Sequence, residues 1–236
     1  MQISFENQNI LITGGTKGIG KKLVQEFTKL GGKVWFTGRD KNIEGDRYFY
    51  VDFNKKNQMD VFLEKISKIN FSVLVNNAGT NKIGNIEKYP VIDYEEIINL
   101  NLTSCFKVIK SVVPNMIKNN YGKVINITSI SSQISMPLRS AYCSSKFGLL
   151  GLTKASAVEL AKHNILINAV GPGVTETELT VNVLGKKKMD EIANNIPIGR
   201  LANTEDISKV VMFMSSKLNS YIVGQNIIID GGYTCV

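Results

Sequence analysis

The strongest constraint on this chain is an alternation of short aliphatic runs with stretches of helical spacing, and a glycine-rich turn follows directly on the first run. The runs stand at Asn9–Ile12, Lys33–Thr37, Phe71–Val75, Lys123–Ile127, Ile165–Val170 and Ile227–Ile229. They are too short for most helices and nearly continuous in apolar residues, as buried strands covered on both faces are. Between them, Ile19, Leu23, Phe27 and Leu30 place one apolar stripe on a helix, which Gly31 and Gly32 end. Longer helical signals run over Tyr94–Lys118 and Ala141–His163, and a further one over Glu205–Met214. Parallel strands need crossover connections, so the alternation predicts an α/β fold, a doubly wound parallel sheet with helices on both faces. Ligands bind such sheets at the carboxyl ends of the strands, so functional residues are expected just after the runs.

Nothing in the 236 residues marks a repeat, a low-complexity tract or a Pro/Ser-rich linker, and 1–236 is read as a single domain. With 43% apolar and 20% charged residues, the chain can bury a core and is neither disordered nor fibrous. No apolar window reaches membrane-spanning length, and MQISFENQNILITGG lacks the basic start and cleavage site of a secretory signal. A cytoplasmic protein without membrane contact is expected. The excess of 28 Lys+Arg over 20 Asp+Glu, a net charge of +8, suggests an anionic partner without specifying it. Nucleic acid is not favoured, because no recognition motif or basic-aromatic interleaving accompanies the charge. Cys105, Cys143 and Cys235 are scattered and His163 is the sole histidine, so no metal site or disulfide framework is expected. His163 reads as a solvated or capping residue near a helix end. The lack of GxSxG argues against a serine hydrolase.

The turn after the first run reads Thr13-Gly14-Gly15-Thr16-Lys17-Gly18-Ile19-Gly20. Gly14 permits a tight turn, Gly18 lets backbone approach a pyrophosphate, and Gly20 lets the helix pack on the strand. Free N–H groups at the helix start face the anion. No GxxxxGK[ST] is present, which disfavours a nucleotide triphosphatase. In a dinucleotide fold the end of the second strand meets the adenosine ribose, where a carboxylate selects NAD. Here the run ends Thr37-Gly38-Arg39-Asp40, and Arg39 with Lys17 predicts NADPH/NADP+ over NAD. Asp40 is the residue that would bias the site back toward NAD.

Asn76-Asn77-Ala78-Gly79 follows the third run, Asn101 lies in a helical stretch, Ser129 ends the fourth run, and Tyr142-Cys143-Ser144-Ser145-Lys146 opens a long helical segment. Tyr142 and Lys146 stand at i and i+4, on one helix face about a turn apart. A phenol is a poor acid–base catalyst at neutral pH unless a neighbouring ammonium stabilises its phenolate.

Across these motifs the chain resembles the short-chain dehydrogenase/reductase family nearly end to end. TGGTKGIG matches the family's cofactor loop, which assigns Gly14, Thr16, Lys17, Gly18, Ile19 and Gly20 to cofactor binding. NNAG matches its sheet-stabilising motif, with Asn77, Ala78 and Gly79 at the cofactor, and Asp52 and Phe53 match its adenine-contacting turn. Pro172, Gly173, Thr175 and Thr177 match the segment that closes on the nicotinamide, with Thr177 at the carboxamide. Asn101, Ser129, Tyr142 and Lys146 match its catalytic tetrad. The resemblance implies a Rossmann-type fold and a carbonyl reduction. Tyr142 would donate the proton, Ser129 would hold the substrate oxygen, Lys146 would assist Tyr142 and bind the ribose, and Asn101 would carry a relay water.

Within the family the chain looks most like the 3-oxoacyl-[acyl-carrier-protein] reductases, which implies an acyl-thioester substrate, an acyl carrier protein as partner and a homotetramer, or a homodimer. Lys118, Lys123, Lys162 and Lys186-Lys187-Lys188 could line an entrance for an acidic carrier, although the arginines expected for such docking are missing. The alternative is a dehydrogenase or reductase of a sugar, polyol or other small alcohol. The expected substrate loop, Glu178–Arg200, mixes Leu179, Val181, Val183, Leu184 and Met189 with polar residues and could cover either kind of substrate. A non-catalytic dinucleotide-sensing scaffold is the remaining possibility, and such a sensor has no need of Tyr142 and Lys146 together.

Overall fold

All six predicted runs become strands, and the sheet they build has a seventh. The computed structural model describes residues 2–236, except for the side chains of Leu179 and of 182–187. In chain order the elements are β1 (Asn9–Ile12), α1 (Gly18–Lys29), β2 (Lys33–Gly38), β3 (Tyr48–Tyr50), α2 (Lys56–Ser67), β4 (Val73–Asn76), α3 (Val91–Ile98), α4 (Ser104–Lys118), β5 (Gly122–Ile127), α5 (Ser140–Leu160), β6 (Ile165–Pro172), α6 (Glu178–Asn194), α7 (Thr204–Ser215) and β7 (Asn226–Ile229). The sheet order is β3-β2-β1-β4-β5-β6-β7, with every pair parallel. The winding reverses between β1 and β4, and this switch point opens a crevice at the carboxyl ends of the strands.

Alternation along the strands divides the core in two. Leu11, Leu74, Val124 and Ile167 face α2, α4 and α5 through Phe62, Ile66, Val108, Val112 and Ala157. Their strand neighbours Ile10, Ile12, Val73, Val75 and Ile125 face α1 and α7 through Leu23, Phe27, Ile207 and Val211. Phe27 is fully buried and packs edge-on to Phe5 at 4.6 Å, so truncating it to alanine would cost about 3–5 kcal/mol. α7 begins at a capping box in which the Asn203 and Asp206 side chains satisfy each other's backbone N–H groups.

Several boundaries differ from the sequence expectation. β4 starts at Val73, because Phe71 turns into the core to meet Trp35 edge-on at 5.5 Å. The stretch Tyr94–Lys118 is two helices joined by a π-helical turn, Asn99–Thr103. The expected substrate loop Glu178–Arg200 is helical as far as Asn194, started by Thr177 Oγ1 accepting the Thr180 N–H at 3.2 Å. Of its named residues, Val181 is exposed, while the Leu179, Val183, Leu184, Lys186 and Lys187 side chains lie outside the described residues.

Three of the six lysines expected at an entrance lie away from the crevice. Lys118 ends α4, Lys123 is buried in β5, and Lys162 precedes β6, which places all three at the amino ends of the strands. Helices of a parallel sheet run antiparallel to its strands, so their last turns lie opposite the ligand crevice. Lys188 pairs with Glu191 at 3.0 Å on the surface of α6.

Candidate active site

The ends of three neighbouring strands, β2, β1 and β4, assemble the phosphate end. Gly14 adopts φ +67°, and its N–H donates to Thr37 Oγ1 at 2.9 Å while the Gly15 N–H donates to Thr37 O at 2.9 Å, tying the turn to β2. A side chain on Gly20 would collide with Gly14 O and the Asn77 amide, so α1 approaches the turn only because that position is glycine. Asn77 Nδ2 donates to the carbonyls of Thr13 and Gly14 at 3.0 Å each, and Thr13 Oγ1 accepts the N–H groups of Asn77 and Ala78. Asn77 and Ala78 thus lock β4 to the turn. At the start of α1, Lys17 is extended and makes no side-chain capping bond, and the first helical turn has no acidic residue. The helix N-terminus is left to an external anion.

Arg39, just after β2, and Lys17, in the glycine turn, are both exposed. One oxygen of the exposed Asp40 carboxylate accepts the Asn42 N–H at 2.9 Å. Thr16 packs against Gly38, where a side chain would collide with its methyl group. Asp52 Oδ1 accepts the Asn54 N–H at 3.0 Å. The Phe53 ring is buried against Phe62 at 5.5 Å, which leaves its main chain as the part that could meet an adenine.

The catalytic end is organised around α5. Lys146 is 5% exposed, and its Nζ donates to Ile127 O at 2.8 Å and stands 5.6 Å from the centre of the Tyr142 ring. Ile127 closes β5 two residues before Ser129. Ser129 is extended and buried, its Oγ accepts the Ser131 N–H at 3.1 Å, and its carbonyl accepts Ser132 Oγ at 2.6 Å. Ser132 and Thr128 both bond Asn226 of β7, so this loop is fixed on two sides. The π turn lets fully buried Asn101 point across to α5. Its Nδ2 donates to Thr80 O at 2.9 Å and Ser145 Oγ at 3.0 Å, and its Oδ1 accepts the Thr80 N–H at 2.9 Å. Both amide protons are used, so a relay water at Asn101 would donate to one of its oxygens; the main-chain carbonyl accepts Cys105 Sγ at 3.4 Å. Burial pushes the Cys105 thiol up to about 11, and it stays protonated. Gly79 lies beside Asn101 Oδ1 and Lys146 Nζ, both within 4 Å of where a side chain would begin.

The segment after β6 covers the crevice. Pro172 ends β6, and the Gly173 N–H donates to Ile229 O at 2.8 Å, with no room for a side chain against Asp230. Buried Thr175 bonds Gly173 O at 3.1 Å and bridges to Ala202. Thr177 reaches Gly18, whose added Cβ would lie 3.3 Å from the Thr177 methyl group. Gly18, at φ +50°, and Ile19 therefore sit between turn and cover. This narrow glycine-lined cradle at an uncapped helix end fits a dinucleotide pyrophosphate.

Thr13, Thr37, Ser145 and Asn226 belong to this framework and were not singled out from the sequence. Position was the available signal, because each stands at a strand end or next to a named motif. Among the described residues no three His, Cys, Asp or Glu side chains group to hold a metal ion. Nor, among the described residues, is any helix long and apolar enough to cross a membrane.

The fold and this constellation define an oxidoreductase acting on CH–OH groups and their carbonyls. A family model described as enoyl-(acyl carrier protein) reductase matches residues 14–234. The chain is 32% identical over 250 residues to the 3-oxoacyl-[acyl-carrier-protein] reductase FabG of Chlamydia pneumoniae, covering 99% of this chain and 100% of that one. It belongs to the short-chain dehydrogenase/reductase family. Among solved structures it is similar to ElxO with NADP bound, at 32% identity and a TM-score of 0.88, covering 97% of this chain and 99% of that one. It is also similar to a gluconate 5-dehydrogenase from Burkholderia cenocepacia in complex with NADP and tartrate, at 25% identity and a TM-score of 0.90, covering 99% and 97%.

Proposed function

We propose that this chain is an NADPH-dependent carbonyl reductase that converts a 3-oxoacyl thioester, carried by acyl carrier protein, to its (R)-3-hydroxy form. The observation that carries the reaction type is the fixing of Lys146 between Ile127 O, two residues before Ser129 in the chain, and the Tyr142 ring. Full-length similarity to a 3-oxoacyl-[acyl-carrier-protein] reductase supports the substrate. Residues 1–236 act as one NAD(P)-binding domain in the cytoplasm.

The nicotinamide supplies the hydride when bound. Tyr142 gives its phenolic proton to the substrate oxygen. Ser129 Oγ accepts from Ser131, which leaves its own hydroxyl proton to donate to that oxygen as charge develops. Lys146 spends one of three donors on Ile127 O and has two for the ribose hydroxyls and the Tyr142 side. Asn101, through Ser145, holds α4 and α5 in register, and one of its oxygens carries the relay water. Lys17 and Arg39 hold the 2′-phosphate, beside an Asp40 that has one carboxylate oxygen bonded to the Asn42 N–H. Gly14, Thr16, Gly18, Ile19 and Gly20 cradle the pyrophosphate. Asp52 and the Phe53 main chain meet the adenine, Asn77, Ala78 and Gly79 line the floor, and Pro172, Gly173, Thr175 and Thr177 cover the nicotinamide.

The active form is a homotetramer joined through α4, α5 and β7, supported by Phe106, Phe147 and Val158, exposed at 51%, 45% and 82% in the single chain. A second reading, oxidation or reduction of a sugar or polyol, is supported by the likeness to a gluconate 5-dehydrogenase. NADPH oxidation with acetoacetyl thioesters beside keto-sugars and diketones separates the two. Thioester turnover well above the panel is expected, and its absence beside an active keto-sugar would replace the first reading with the second.

A further inference from the structure

Tyr48 lies in the edge strand β3, outside every motif named above, yet its hydroxyl meets the backbone of the Gly38–Asn42 turn twice. Tyr48 Oη accepts the Asp40 N–H at 3.1 Å and donates to Asp40 O at 2.7 Å. On the other side of Arg39, Gly38 O accepts the Val51 N–H at 2.9 Å. Arg39 is therefore bracketed by two fixed peptide positions, although it is exposed and makes no ion pair among the described residues. The hydroxyl is itself anchored. The Tyr48 ring packs on Phe36 at 5.2 Å, and the Phe36 N–H donates to Arg47 O at 3.0 Å. Asp40, the one acid of the turn, has one carboxylate oxygen bonded to the Asn42 N–H. Burial raises the Tyr48 phenol above its ordinary range, so it remains a donor at neutral pH.

An exposed turn without these ties would have to be ordered when ligand binds, and that entropy would be drawn from binding. We propose that Tyr48 is a positioning residue for cofactor selection, its hydroxyl preorganising the turn so that Arg39 meets a 2′-phosphate. This rests on the assignment of NADPH above.

Calorimetric titration with adenosine 2′,5′-bisphosphate and with 5′-AMP tests it in the wild type, Tyr48→Phe, Arg39→Gln and the double variant. The wild type should prefer the bisphosphate. Tyr48→Phe keeps the ring and should melt within about 5 °C of the wild type and keep its 5′-AMP affinity, while bisphosphate binding weakens by about 5–10-fold, the scale of one or two lost hydrogen bonds. Arg39→Gln should lose more, and adding Tyr48→Phe to it should cost little further, because Tyr48 acts through Arg39. An unchanged bisphosphate preference in Tyr48→Phe, equal weakening of both ligands, or full additivity in the double variant would each overturn the positioning role. A wild type indifferent to the 2′-phosphate would instead overturn the NADPH assignment beneath it.

Discussion

Asn101 Nδ2 donates to Ser145 Oγ at 3.0 Å, and Ser145, fully buried, passes the connection on by donating to Tyr142 O at 2.7 Å. A residue three positions after Tyr142 thereby couples the π turn to the helix that carries both Tyr142 and Lys146. Ser145→Ala leaves one Asn101 proton without its partner in a buried site, at a cost of about 1–3 kcal/mol. Thermal melting should show that loss. kcat for ketone reduction should fall by about 10-fold, the equivalent of ~1.4 kcal/mol in the barrier, with KM for the cofactor nearly unchanged. A variant with wild-type kcat would remove the Asn101–Ser145 link from the account.

Lys123 gives the fold a pH dependence. Its Nζ donates to Asn219 O and stands 5.6 Å from the Tyr121 ring centre, and burial pushes it down to about 8 from an ordinary 10.5. The unfolded chain therefore binds more protons than the folded one between about pH 8 and 10.5. Stability relative to a Lys123→Met variant should rise with pH across that window and be flat below it. At pH 7 the methionine variant should be more stable by on the order of 1–3 kcal/mol, since no ammonium is buried. Denaturant unfolding of both proteins from pH 6 to 10.5 measures this, and parallel curves would contradict it.

Phe106 of α4 and Phe147 of α5 are about half exposed in the single chain. If these helices meet their copies in a tetramer, Phe147→Glu places a charge in an apolar contact. Light scattering after size exclusion should then report a smaller assembly than the wild-type tetramer, with the protomer fold retained by circular dichroism. A wild-type protein that elutes as a monomer would contradict the assembly.

The parts of the site that rest on local spacing were legible in the sequence. Tyr142 and Lys146 share a face because α5 forms as its pattern predicts, and Gly14 and Gly20 stand where a turn and a close helix approach demand them. Thr13, Thr37 and Tyr48 act through partners on other strands, and no local pattern announces such pairs. β3 is three half-exposed residues, too short to stand out. α2 carried a readable signal in Met59, Phe62 and Ile66, which share one buried face. Lys123 misled because a lysine in an aliphatic run looks like a solvated charge, whereas its stem continues the buried strand and its ammonium finds a carbonyl below the sheet.

In the proposed NADPH-dependent carbonyl reduction, Tyr142 is the proton donor. Steady-state NADPH oxidation by Tyr142→Phe, with NADPH affinity measured separately by fluorescence titration, tests it most directly. kcat should fall by about 10²–10⁴-fold, while the NADPH dissociation constant stays within about twofold of wild type, because only the phenolic proton has been removed. Turnover within tenfold of wild type, with NADPH still bound, would contradict the claim.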